Sequence, residues 1–196
     1  GYLPAGVAWY RKHFDVDDLT NRHYIYFEGA YNRSEVYLNG HLLGKRPNGY
    51  ISFMYDMTPY LKQKDNVLAV RIDHSRHADS RWYTGSGIYR DVWMIETGDV
   101  HFDLWGVGWT TPEVSEKKAI LSVDAKIVNH TSANGQYILS ATLYDNDGAK
   151  VANAVKDVSK EVAGSTVSKL LMKVNRPKLW HLDSPYLYTL ECELMA

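Results

Sequence analysis

The chain is poor in cysteine: Cys192 is the single one among 196 residues. One thiol excludes an internal disulfide and any cysteine-based zinc cluster, and it leaves the redox compartment open. Cys192 follows Leu190 and precedes Leu194 at a spacing of two, which predicts a thiol turned towards a core. No apolar run approaches the roughly 20 residues a membrane helix requires, and no signal peptide is read at the start. An excess of one charge is lacking too. With 22 Lys+Arg against 23 Asp+Glu the net charge is -1 and the pI lies near 6.8. No basic field exists to draw in nucleic acid or an anionic membrane, and neither is expected as a partner. Long stripes of period 3.6 are scarce, and no repeat or low-complexity tract stands out. Polar tails are missing at Gly1 and Ala196, which is the expectation for an excised fragment.

What is present is alternation of period two, so the expected class is all-β. Ile25 and Phe27 alternate with Tyr24, Tyr26 and Glu28, and Val36 and Leu38 with Glu35 and Tyr37. Asn39-Gly40 follows, and Asn-Gly between apolar runs predicts a hairpin because both central residues of a type I′ turn need positive φ. The return strand starts at Leu42 and Leu43. A break at Lys45 to Gly49 precedes a strand over Tyr50 to Tyr55, and Pro59 limits Met57 to Leu61 to a short helical turn or bend. Leu68, Val70 and Ile72 face one way and Ala69, Arg71 and Asp73 the other. A polar loop is expected from His74 to Ser80, and a strand from Tyr89 to Glu96. Composition resets around Thr97-Gly98-Asp99, which places domains at 1–97 and 98–196. In the second, strands are expected at Val100 to Val107, Ala119 to Asn129, Tyr137 to Tyr144, Thr166 to Val174 and Tyr186 to Leu194. Turns fall at Asn134-Gly135 and Asp147-Gly148. That spacing describes a small sandwich of immunoglobulin type.

Several segments carry ligand-type or catalytic-type residues. Gly85-Ser86-Gly87 fits neither a nucleophile elbow nor a phosphate loop and reads as a tight turn. His74-x-x-His77, with Asp73 and Asp79 nearby, has metal-ligand residues in a loop whose spacing fixes no geometry, so a solvated polar loop is expected and no metal or cofactor. Asp73 and Asp79 could in principle flank a glycosidic bond, but surface solvation is the plainer role. Asp145-Asn146-Asp147-Gly148 lacks the outer ligands of a calcium loop and reads as a hairpin turn. Asn32-Arg33-Ser34 and Asn129-His130-Thr131 match the glycosylation sequon, which arises readily by chance. The chain holds 15 Tyr and 6 Trp, side chains suited to sandwich cores and to stacking on sugars. For any single aromatic a core position is expected. Trp82 and Tyr83 are the exceptions, because they sit beside Arg81 in a polar loop.

The run Arg81-Trp82-Tyr83-Thr84-Gly85-Ser86-Gly87-Ile88-Tyr89-Arg90-Asp91-Val92 resembles the signature near the end of the sugar-binding domain of family 2 glycoside hydrolases, bacterial β-galactosidases above all. The likeness continues through Trp9-Tyr10-Arg11-Lys12, Phe27-Glu28-Gly29-Ala30, Glu35-Val36-Tyr37-Leu38-Asn39-Gly40, Gly49-Tyr50, Asp56-Met57-Thr58 and Asn66-Val67-Leu68-Ala69-Val70-Arg71. In the second half it includes Lys178-Leu179-Trp180 and Ser184-Pro185-Tyr186-Leu187-Tyr188-Thr189-Leu190. The resemblance implies a jelly-roll sandwich followed by an immunoglobulin-like one. In the whole enzyme these precede a TIM barrel whose two glutamates perform retaining hydrolysis. It implies no catalytic residue within this chain, and no hydrolysis by it alone. The chain would scaffold the barrel, its intramolecular partner, and meet the carbohydrate substrate only through the full-length enzyme. It would lend Asp79, Arg81 and Trp82 to the active-site rim, while Arg90 and Asp91, in the following strand, would pair to hold the loop. Bacterial cytoplasm or periplasm, and room for a homo-oligomer of the full-length protein, come with the resemblance. The alternative is a carbohydrate-binding or adhesion module that stands alone without enzymatic activity.

Overall fold

The computed structural model describes residues 6–75, 84–131, 135–159 and 164–196. Two compact units emerge, Gly1–Gly98 and Asp99–Ala196. In the first, the strands in chain order are β1 (Val7–Phe14), β2 (Arg22–Phe27), β3 (Ala30–Tyr31), β4 (Ser34–Leu38), β5 (His41–Arg46), β6 (Phe53–Asp56), β7 (Asn66–Asp73), β8 (Gly87–Ile88) and β9 (Val92–Thr97). They form a four-stranded sheet β1-β7-β4-β5, a three-stranded sheet β6-β2-β9 and the short pair β3-β8, all antiparallel. The alternation of β7 decides which face is inside: Leu68, Val70 and Ile72 are buried with Val36 and Leu38 of β4 against Ile25, Phe27 and Phe53 of the other sheet. Phe27 and Phe53 are cross-strand partners whose rings stack at 4.9 Å, the closest form of sheet-stabilising pair.

Asn39 and Gly40 both take positive φ, 50° and 86°, as the hairpin chemistry demands. Asn39 has a second task. Its Oδ1 accepts the Val67 N–H at 2.9 Å and its Nδ2 donates to Asn66 Oδ1 at 3.0 Å. Asn66 is fully buried. It accepts the Lys62 N–H at 2.9 Å and returns a bond to the Lys62 carbonyl at 2.6 Å. One amide thus pins the hairpin tip, the bend before β7 and the start of β7.

The second unit holds β10 (Val100–Val114), β11 (Lys118–Asn129), β12 (Ile138–Tyr144), β13 (Lys150–Asp157), β14 (Gly164–Asn175) and β15 (Thr189–Met195). Sheet β10-β11-β14 packs on sheet β13-β12-β15. Leu121, Val123, Ala125 and Ile127 face a core completed by Leu139, Ala141, Leu143, Leu170 and Met172. The chain is therefore all-β, a jelly-roll sandwich followed by an immunoglobulin-like one. Cys192 lies half-buried against the second core, and burial pushes its thiol up.

Several boundaries differ from the periodicity. β6 starts at Phe53 and not Tyr50, because Asn48 Oδ1 accepts the N–H groups of Tyr50 and Ile51 and holds a turn there. β10 runs on to Val114 through two register shifts. It is an edge strand, where Pro112 costs no ladder bond. β15 starts at Thr189 and not Tyr186. β13 has no counterpart in the pattern, since its valines, Val151 and Val155, point outwards and its alanines inwards. Asp145 Oδ1 caps the Asp147 and Ala149 N–H groups, and Gly148 takes φ 81°, so this segment is the expected hairpin turn. Asn129 is buried and its Oδ1 accepts from Thr131, which removes that sequon from the surface.

Asn66→Ala removes the side-chain partner of the Lys62 N–H and carbonyl and the bond from Asn39 Nδ2, which keeps its bond to the Tyr60 carbonyl, and it empties a fully buried position. A loss of about 2–3 kcal/mol is expected, read as a lower urea midpoint at unchanged slope.

Candidate functional site

The inward alternation of β7 continues one step beyond the strand. After Leu68, Val70 and Ile72 comes His74, 4% exposed. Its N–H donates to the Gly6 carbonyl at 2.8 Å, its ring stands edge-on to Tyr31 at 4.9 Å, and its Nδ1 lies 2.5 Å from Ser86 Oγ. The expectation of a solvated loop starting at His74 is therefore corrected. The signal was available, because His74 stands in register with three buried aliphatic residues.

The far side of the same segment is equally constrained. Gly87 pairs with Tyr31 and Ile88 with Ala30. Gly87 has φ 101°, and a Cβ there would run into the Tyr10 hydroxyl, so both backbone and space require glycine. Tyr89 donates its hydroxyl to the Gly49 carbonyl at 2.8 Å. Gly85-Ser86-Gly87 is expected as a tight turn, but Gly85 and Ser86 are irregular and Gly87 already opens β8. Beside it a cleft of about 310 Å³ is lined by Gly6, Val7, Ala8, Tyr10, Ile72, Ser86 and Gly87.

Ser86 with His74 has the outline of a nucleophile and base, but a working pair needs a third group to orient the imidazole. His74 Nε2 is buried and has no hydrogen-bond partner among the described residues. The contact is a tie between residues on either side of the 76–83 segment. Among the described residues no group of three His, Cys, Asp or Glu could hold a metal ion.

Asp73 points outwards. It accepts from Ser75 N at 3.0 Å, Ser75 Oγ at 2.6 Å, Arg33 at 3.3 Å and Arg71 at 3.1 Å. The Ser75 bonds chiefly, then the two guanidinium groups, hold its carboxyl well below the usual carboxylate range. A carboxylate kept ionised in this way cannot donate a proton to a leaving group. Asp73 is a structural anion.

Asp79, Arg81 and Trp82, with His77 and Tyr83, lie outside the described residues, so the structure describes the two shoulders of that segment and not its crest. Arg90 and Asp91 were expected within a strand and paired. They precede β9 instead, and no bond joins their side chains among the described residues. The Arg90 guanidinium lies over the Tyr89 ring at 5.4 Å, and the Asp91 carbonyl accepts from Glu28 N at 3.1 Å. The expectation that single aromatics are core residues also fails for tryptophan. Trp9, Trp93, Trp105, Trp109 and Trp180 are each more than half exposed.

Residues 3–98 match the model of the glycosyl hydrolases family 2 sugar binding domain, and residues 107–196 match a second model of glycosyl hydrolases family 2. The chain belongs to glycoside hydrolase family 2. Over its whole length it is 46% identical to a beta-galactosidase of Bacteroides ovatus, covering 23% of that protein. It is 32% identical to a beta-glucuronidase of Formosa agariphila over 93% of the chain and 21% of the relative. The crystal structure of a beta-glycosidase from Bacteroides vulgatus superposes with a TM-score of 0.89 at 38% identity, over 100% of this chain and 24% of that one. The family 2 chain thus spans under a quarter of the length of each of these proteins, and the shoulders of the 76–83 segment fall within its sugar-binding match.

Because Asp73 is held below its ordinary value in the fold, its stabilising effect is complete above the unfolded carboxylate pKa of about 4 and is lost as pH falls below it. Asp73→Asn should flatten the decline of melting temperature between about pH 4 and pH 2, followed by circular dichroism. Equal slopes would mean that Ser75, Arg33 and Arg71 do not stabilise the anion.

Proposed function

We propose that residues 1–196 form the non-catalytic N-terminal part of a retaining glycoside hydrolase of β-galactosidase type. They brace a catalytic barrel, and Asp79, Arg81 and Trp82 reach the rim of its active site. The observation that carries this reading is the 46% identity to the Bacteroides ovatus beta-galactosidase along the whole chain. The carboxylates support a bracing role. Retaining hydrolysis needs two carboxyl groups about 5–5.5 Å apart, one of them able to hold a proton. Glu35 is bonded by Lys45 and Tyr37, Asp103 by Lys126 and Asp73 by Ser75 and two arginines. All three are held below their ordinary values and serve as anions.

The shoulders explain how a sandwich could present a crest to a substrate with little ordering cost. His74 is fixed by Gly6, Tyr31 and Ser86, and Gly87 by Tyr31. A segment held at both ends loses less entropy on meeting a ligand than a free loop of the same length. A planar indole and a guanidinium on such a segment would stack on a sugar face and bond its hydroxyls.

In the full-length enzyme, Trp82→Ala should lower kcat/KM for an aryl β-galactoside by about 10–100-fold, and the melting temperature of residues 1–196 should stay nearly unchanged. Unfolding of the variant would make Trp82 a core residue and end this reading. Across β-galactosides, β-glucuronides and β-mannosides the galactoside should be turned over fastest, and a glucuronide preference would replace that substrate assignment.

A further inference from the structure

Register fixes what stands on the outer face of the four-stranded sheet in the first unit. Trp9, Arg71, Glu35 and Lys45 lie opposite one another across β1, β7, β4 and β5, and the next row holds Arg11, Ala69 and Tyr37. Residues opposite each other in a ladder share a face. Val70 and Ile72 of β7 are in the core, so these rows point away from it. Trp9 and Tyr37 sit two strands apart, yet their ring centroids are 5.9 Å from each other, with planes inclined at 35°. Neighbouring strands are about 4.8 Å apart, so the rings lean towards one another over Ala69, whose methyl group leaves them room. Trp9 is more than half exposed.

The polar groups beside this pair are held in place. Glu35 accepts from Lys45 at 2.8 Å and from the Tyr37 hydroxyl at 2.6 Å, and Asp73 accepts from Arg33 at 3.3 Å and Arg71 at 3.1 Å. Glu35 and Asp73 are the only carboxylates in the four strands, and both are engaged by these bonds. Arg11 is different. It is exposed, lies two residues along β1 from Trp9 on the same face, and its guanidinium has no partner among the described residues. Arg11, Arg33, Lys45 and Arg71 thus meet only two anions, and the unanswered cation stands beside the open indole.

We propose that this face binds a saccharide containing uronic acid, with one sugar ring stacked on Trp9 and Tyr37 and a carboxylate of the chain paired with Arg11. The inference goes beyond the bracing role and makes no use of the 76–83 segment. An aromatic pair offers its flat faces to the C–H groups of a pyranose. A planar guanidinium grips a carboxylate through two parallel N–H bonds. A simple anion would leave the rings without a role, and a neutral sugar would leave Arg11 without one. Nucleic acid fits poorly, because binding led by phosphates needs several free cations and this face has one on a chain of net charge -1.

Calorimetric titration of the full-length enzyme with a trisaccharide of galacturonic acid tests this, with the neutral galactose trisaccharide as comparison. The acidic trisaccharide should bind at least about 10-fold more tightly than the neutral one, and Arg11→Gln should remove that difference. Trp9→Ala should weaken binding by about 10-fold and Trp9→Phe by much less. Should Trp9→Ala fail to fold, Arg11→Gln and Trp9→Phe carry the test, since Arg11 supports nothing in the fold. Absence of binding would overturn the proposal, as would equal affinity for the two trisaccharides or binding that Arg11→Gln leaves unchanged. Both Arg11→Gln and Trp9→Phe should keep kcat/KM for an aryl β-galactoside. A parallel loss would mean that the active site reads the trisaccharide, and the proposal would fall. Binding does not depend on turnover, so an enzyme that holds the acidic trisaccharide but cleaves no β-galactoside would refute the proposed activity and leave this face standing.

Discussion

A β-strand satisfies its backbone only through a neighbour and its apolar face only through a second layer, and both units of this chain are solutions to that double demand. In the first, β7 is the strand on which the others depend. It pairs with β1 and β4, offers Leu68, Val70 and Ile72 to the core, and turns Arg71 and Asp73 outwards. Its two ends are secured by different means. Asn66, buried and bonded to Lys62 and Asn39, ties its start to the Asn39 hairpin. At its end, Asp73 is held by Ser75, Arg33 and Arg71, while His74 is wedged between Tyr31 and Ser86.

This arrangement bears on function because the chain leaves β7 at Asp73 and returns at Ser86 to Ile88. The residues between are those whose resemblance to family 2 enzymes is strongest in chemistry. The scaffold shows a division of labour: half-buried carboxylates are locked into ion pairs and hydrogen bonds, and the cleft beside the shoulders is lined by small residues and one tyrosine. Nothing in that set is poised for proton transfer, which suits residues that position and brace.

Much of this was legible from residue order. The Asn39-Gly40 hairpin, the inward faces of β7 and β11 and the Asp145 turn follow from local rules, since positive φ and period two are properties of a few neighbouring residues. The misses share a cause. His74 looked like a loop residue because histidine is polar, yet its register with Ile72 already placed it inside. β13 escaped because its larger apolar side chains face outwards. The exposed tryptophans escaped because burial depends on what lies across the sheet, which a single strand does not encode. Arg90 and Asp91 escaped because the chain leaves β8 and enters β9 at a bend formed by distant partners, Gly49 and Glu28.

Residue order by itself determined the all-β class, the two sandwiches, their principal turns and the family. Each of these rests on alternation, turn chemistry or motif spacing, all short-range along the chain. Tertiary structure alone decided which polar groups are buried and paired, and that Asp73 is a fixed anion and Ser86 a tie. Those outcomes depend on contacts between residues far apart in sequence, where packing selects the partner and local preference has no say.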